Sequence, residues 1–135
     1  MRREFLIPEE DIEFLNSRDW TWELVEEGGN RLVLIHGFPV PKGYTVNQTT
    51  VAIQILSGYP TTPLDMAYFH PKLEREDNIL IGQADQTMSI EGSSFQRWSR
   101  HYRWEVGFHT LTTHILAIED WLKREFVIKP FRGVS

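Results

Sequence analysis

The stretch "FHTLTTHILAIEDWLKREF", residues 108–126, sets Phe108, Leu111, Ile115, Ile118 and Leu122 at alternating steps of three and four. That spacing lines one face of an α-helix with apolar side chains. Lys123 and Arg124 lie near its C-terminal, negative end, where cations are favoured. A single amphipathic helix cannot bury its own stripe, so the rest of the chain must supply a surface for it.

The preceding residues supply that surface as strands. Trp20, Trp22 and Leu24 alternate with polar Thr21 and Glu23, and Gly28, Gly29 and Asn30 provide the positive-φ positions of a hairpin turn. Leu32 to Ile35 is a continuous apolar run, the pattern of a central strand. "TTVAIQIL" puts Val51, Ile53 and Ile55 on one face of a third strand. "SGYPTTP" is a turn, "LDMAYF" a fourth strand stopped by Pro71, and "KLERED" a solvated connector. Ahead of them, "IPEEDIEFLNSRD" reads as a short helix with three acids in its first turn and Ile12 and Leu15 as its buried stripe. Between Asn78 and Gly107 periodicity fails, and a long irregular segment in a small domain is commonly functional. The expected fold is α+β: an N-terminal helix, a four-stranded antiparallel meander, the irregular active-site segment and one long C-terminal helix. With 135 residues it reads as a single domain, 1–135.

Composition narrows the function. The net charge of −5 disfavours a nucleic-acid partner. No apolar run is long enough to span a bilayer, and Phe5–Ile7 is too short for a signal peptide, so the expected setting is cytoplasmic, with no membrane partner. The chain has no cysteine, which removes disulfides, thiolate metal sites and thiol nucleophiles. The five histidines lack metal-ligand spacing, and no glycine-rich phosphate loop is present, so neither a metal site nor a cofactor is expected.

The densest chemistry lies in "SSFQRWSRHYRWEVG", residues 93–107. Covalent catalysis needs a nucleophile and a base for its proton, and without thiol a hydroxyl is the leading option. Ser99 and His101 are two apart, which in extended chain points both side chains the same way, whereas on a helix they diverge by about 200°. Ser99 is thus the first candidate nucleophile and His101 its base, with Asp85 or Glu91 as orienting carboxylates. Ser93 and Ser94 are the alternative nucleophiles. The bland reading is that Ser99 caps a turn and His101 bonds a backbone carbonyl. Arg97, Trp98, Arg100 and Arg103 are candidate partner-binding residues, against a plainer role as solvated face and core ring. His114, on the apolar face of the helix, reads as a hydrogen-bonded core histidine.

Taken together, "FPVPKGY", "GYPTTPLDMAYFHP", "QRWSRHYRW" and "GFHTLTTHILAIEDWL" resemble the prokaryotic ubiquitin-conjugating family E, a bacterial branch of the UBC-like superfamily. The resemblance runs from about Trp20 to Phe126, and Gln96–His101 is its most specific part. It implies a UBC-like fold and a place in a bacterial ubiquitin-like conjugation pathway, with a ubiquitin-like protein and an ATP-dependent activating enzyme as partners. Eukaryotic conjugating enzymes carry the modifier on a cysteine and use a His-Pro-Asn motif. Here there is no cysteine, and His70 and Pro71 are followed by Lys72. Two readings follow: a carrier that holds the modifier as an oxyester on a hydroxyl, or a non-catalytic UBC-fold adaptor.

Overall fold

The computed structural model describes residues 1–131. The last four positions of the expected 1–135 domain lie outside the described residues. The elements run α1 (Glu9–Ser17), β1 (Thr21–Glu27), β2 (Asn30–Pro39), β3 (Gln48–Gln54), β4 (Ala67–His70), β5 (Gln86–Ile90), β6 (Ser93–Trp98) and α2 (Leu111–Ile128). All strand pairs are antiparallel, in the order β1-β2-β3-β4-β6-β5.

The expected meander is β1 to β4. It is extended by a hairpin from the segment expected to be irregular, so the sheet has six strands. Residues 86–98 escape a period-2 reading because β5 is an exposed edge with polar Gln86, Thr87 and Ser89, while in β6 Phe95 and Trp98 stand three apart, on opposite faces, with Gln96 and Arg97 between them. Glu91 and Gly92 turn the hairpin, both at positive φ.

α2 begins at Leu111, not at Phe108. Thr110 is its N-cap and makes a reciprocal capping box with Thr113. Leu111, Ile115, Ile118 and Leu122 are fully buried as the spacing dictates, whereas Phe108 stands before the helix and is 64% exposed. Leu15 of α1 joins the same core, with Val33, Ile35, Val51, Ile53, Phe69 and Trp98 rising from the sheet. Both helices therefore cover one face.

The other sheet face carries a second apolar cluster of Val25, Leu32, Leu34, Ala52, Tyr68, Ile90 and Phe95, with no helix residue in it. The sheet curls to enclose it. Four strands separate β1 from β5, yet the Glu91 N–H donates to Glu27 Oε2 at 2.8 Å, and Arg2 bridges Glu23 of β1 and Glu91. The segment around Arg3 adds a parallel bridge to Leu24 along the outer edge of β1.

Two buried polar groups lock the layers. Asp11 of α1 is 1% exposed and accepts hydrogen bonds from the Thr112 N–H and hydroxyl, and from Tyr59. The connector "KLERED" is only partly solvated. Leu73 is buried, and Arg75 is buried between Asp77 and Glu125, also donating to the Lys129 carbonyl at 2.8 Å. A charged run hid a buried cation because, Asp77 within the run aside, its partners Glu125 and the Lys129 carbonyl lie 50 and 54 residues away. No helix among the described residues is long and apolar enough to cross a membrane.

Candidate functional site

The site is built around the end of β6. Alternation in β6 turns Gln96 and Trp98 toward the helix-covered core and Phe95 and Arg97 to the opposite face. Gln96 receives the Leu73 N–H at 2.8 Å and returns its own Nε2–H to the Leu73 carbonyl at 3.1 Å. Trp98 Nε1 donates to the same Gln96 oxygen. The loop after β4 is thus clamped to β6. Beside this clamp opens a cleft of about 1010 Å³, whose lining includes Leu73, Ile81, Gln83, Ala84, Gln96 and Lys129.

Ser99 follows the end of β6, its N–H donating to the carbonyl of cleft-lining Gln83 at 2.9 Å. It is half-buried. His101 is exposed, and its Nδ1 pairs with Asp65 Oδ1 at 2.8 Å. Among the described residues no hydrogen bond joins Ser99 to His101. The carboxylate on His101 is Asp65, not Asp85 or Glu91. Glu91 belongs to Arg2, whose guanidinium holds that carboxyl below its ordinary value. Asp65 is 36 residues from His101, so no local spacing points to it.

The chain beyond Ser99 is irregular but fastened. Arg100 donates to the carbonyls of Gly82 and Ser99 at 3.0 Å each and lies over the Trp98 ring, where burial lowers its pKa. The Tyr102 hydroxyl bonds His114 Nδ1 at 2.6 Å, and His114 Nε2 donates to the Met66 carbonyl at 3.0 Å. Full burial pushes the His114 pKa down, so the ring is the neutral Nε2–H tautomer, the satisfied core histidine read from the sequence. Burial also pushes the Tyr102 hydroxyl up to about 12, keeping it a donor. The Tyr102 ring stacks among Trp104, His109 and Trp121. Trp104 Nε1 reaches the Pro60 carbonyl.

At the far end the Glu105 carbonyl receives the N–H groups of Phe108 and His109, and His109 Nδ1 receives the Glu105 N–H. This tight turn presents Val106, 65% exposed, and Phe108 to solvent, close in sequence to exposed Arg103. The arginines and tryptophan read together from the sequence therefore separate. Trp98 is fully buried, so its ring supports the segment from beneath and does not reach a partner. Arg97 lies on the second sheet face opposite Tyr68, its Nε buried and without a hydrogen-bond partner among the described residues. Arg100 is spent on the segment's own carbonyls, and Arg103 remains on the surface. Ser93 and Ser94 open β6 beside the hairpin turn, and the Ser94 carbonyl accepts from His70 Nδ1 at 3.1 Å. Among the described residues neither hydroxyl is hydrogen-bonded to a base. Among the described residues no cluster of three histidine or carboxylate side chains is spaced for a metal ion.

Compared with known families, the chain matches the family model described as Prokaryotic E2 family E over residues 7–125. The chain belongs to this family. The match spans α1, all six strands, the clamped segment and all but the last turn of α2. The α+β, UBC-like architecture is that of an E2-type protein, and membership associates the chain with ubiquitin-like proteins and their activating enzymes in general terms. No curated protein and no solved structure matches it. What sets this member apart from a thioester-forming E2 is its want of any cysteine across 135 residues.

Proposed function

We propose that this E2-family protein acts in a bacterial ubiquitin-like conjugation pathway as an adaptor, docking the ubiquitin-like protein or its activating enzyme without carrying the modifier covalently. The observation that carries this reading is the 105–109 turn, which holds Val106 and Phe108 in solvent on a hydrogen-bonded scaffold next in sequence to Arg103 and Trp104. Exposed apolar side chains on a rigid frame are the ordinary core of a protein-docking site. The state of Ser99 agrees with it, since a serine hydroxyl without a hydrogen-bonded base is a weak nucleophile.

The oxyester carrier is the second reading, favoured by one observation. Asp65 orients His101 at 2.8 Å, two residues from Ser99, so base and orienter are already paired. One experiment separates the two. The chain is mixed with the pathway's activating enzyme, ubiquitin-like protein and ATP, then analysed by intact-mass spectrometry and by pull-down. The adaptor reading expects a complex, weakened by the Val106→Asp/Phe108→Asp double variant, and no covalent adduct. An adduct that resists thiols, breaks in mild base and disappears in Ser99→Ala establishes the carrier instead. An adduct mapped to Ser93 or Ser94 also establishes a carrier, with a different nucleophile.

A further inference from the structure

On the sheet face away from the helices, a carboxylate, an imidazole and a hydroxyl stand in line across three adjacent strands. Glu23 of β1 meets His36 of β2, Oε2 to Nε2 at 2.8 Å, and His36 Nδ1 meets Thr50 Oγ1 of β3 at 3.2 Å. The local fold aims these groups. β2 pairs Ile35 with Val51 and then Phe38 with Thr49, so His36 and Gly37 together oppose the single Thr50. This is a β-bulge, and Gly37 takes the positive φ of 69° that it requires. Bulges re-aim side chains and are frequent beside active sites.

The charges agree on one proton arrangement. Arg2 donates to Glu23 from Nε at 2.9 Å, and this hydrogen bond is the main cause that draws the Glu23 carboxyl down to about 2. A permanent carboxylate on Nε2 holds the Nε2–H tautomer. That leaves the Nδ1 lone pair for the Thr50 proton. The row is also reachable, since the His36 side chain is 36% exposed and Thr50 is half-buried. His70, cross-strand partner of Thr50, flanks the hydroxyl from β4.

We propose that Glu23, His36 and Thr50 form a hydroxyl-nucleophile centre that accepts acyl groups from activated esters, separate from the Ser99 region and independent of the adaptor reading. In the first step Thr50 Oγ1 bonds the acyl carbon while its proton passes to His36 Nδ1. The ester C–O bond breaks, and the leaving alcohol takes that proton. In the second step water adds to the acyl-Thr50 ester, giving its proton to His36. The bond between the acyl carbon and Thr50 Oγ1 breaks, Oγ1 takes that proton from His36 to restore the hydroxyl, and the carboxylic acid departs. The net reaction is ester plus water to acid plus alcohol. Glu23 keeps the imidazole in its tautomer throughout.

The test uses the full chain and p-nitrophenyl acetate, reading phenolate release together with peptide mapping of the acetyl group. Acetylation at Thr50 is expected. His36→Gln should slow it on the order of 10²-fold or more, the usual yield of a general base. Thr50→Val, a strand-compatible change, should abolish it, and Thr50→Ser should preserve it. Matching circular dichroism melts show that the variants are folded. Phenolate release unchanged in Thr50→Val or in His36→Gln overturns the proposal. So does acetyl confined to lysines, the N-terminal amine or other hydroxyls, in which case the row is a cross-strand hydrogen-bond ladder only. None of these outcomes bears on whether the chain binds the ubiquitin-like protein.

Discussion

Gln96 and Leu73 hold each other through two hydrogen bonds, side-chain amide to backbone, at 2.8 and 3.1 Å. Gln96→Leu removes both partners of a buried peptide unit, and each unsatisfied buried group costs about 1–3 kcal/mol. The variant should melt several degrees lower, and amide exchange around residues 71–75 should accelerate. Unchanged exchange there would show that the clamp does not hold the loop.

Arg75 is a second test of a buried contact. It is 1% exposed, and removing it leaves Asp77 and Glu125 in the interior without their shared cation. Breaking such a network from one side typically costs about 3–5 kcal/mol. Arg75→Met is expected to lose stability in that range by urea titration. Glu125→Gln, which keeps the shape and one hydrogen bond, should lose less.

His114 gives a pH dependence. Its folded pKa lies below the ordinary 6.5 because burial disfavours the imidazolium. The unfolded chain therefore binds the proton more readily, and stability rises with pH wherever that is so. The contribution is complete above about pH 6.5 and is lost as pH falls below it. Urea midpoints measured from pH 7.5 down to 5 should decline in the parent protein. His114→Gln should flatten that decline, and an equally steep slope in the variant would assign it to other groups.

The two ends of the C-terminal apolar pattern should behave oppositely. Ile115→Asp buries a lone carboxylate and is expected to cost several kcal/mol or prevent folding. Phe108→Asp falls on a 64% exposed residue and should change the melting temperature little. Equal losses in both would contradict the helix boundary at Leu111.

The contrast between those two residues explains what could be read in advance. Periodicity reported the buried stripe of α2 faithfully, because Leu111 to Leu122 face a continuous core. It extended one step too far, to Phe108, because a 3–4 pattern does not register where Thr110 caps the helix. The hairpin of residues 86–98 was illegible for a different reason. An edge strand with polar side chains has no alternation to display. In the site, the clustering of Ser99, His101 and the arginines was visible in the chain, but Asp65 and the division of the arginines between two sheet faces were not. Those depend on which strands become neighbours. The row from Glu23 to Thr50 draws on three strands and a bulge, and no spacing in the sequence encodes it.

The hydrogen bonds from Thr112 to Asp11 cross 101 positions of sequence. The buried carboxylate of α1 therefore gains its α2 partner only after the whole of the sheet between them has been synthesised. Until residue 112 clears the exit tunnel, α1 has no α2 to dock on and β1 to β4 lack their covering layer, so the helix-covered core must close late and nearly all at once.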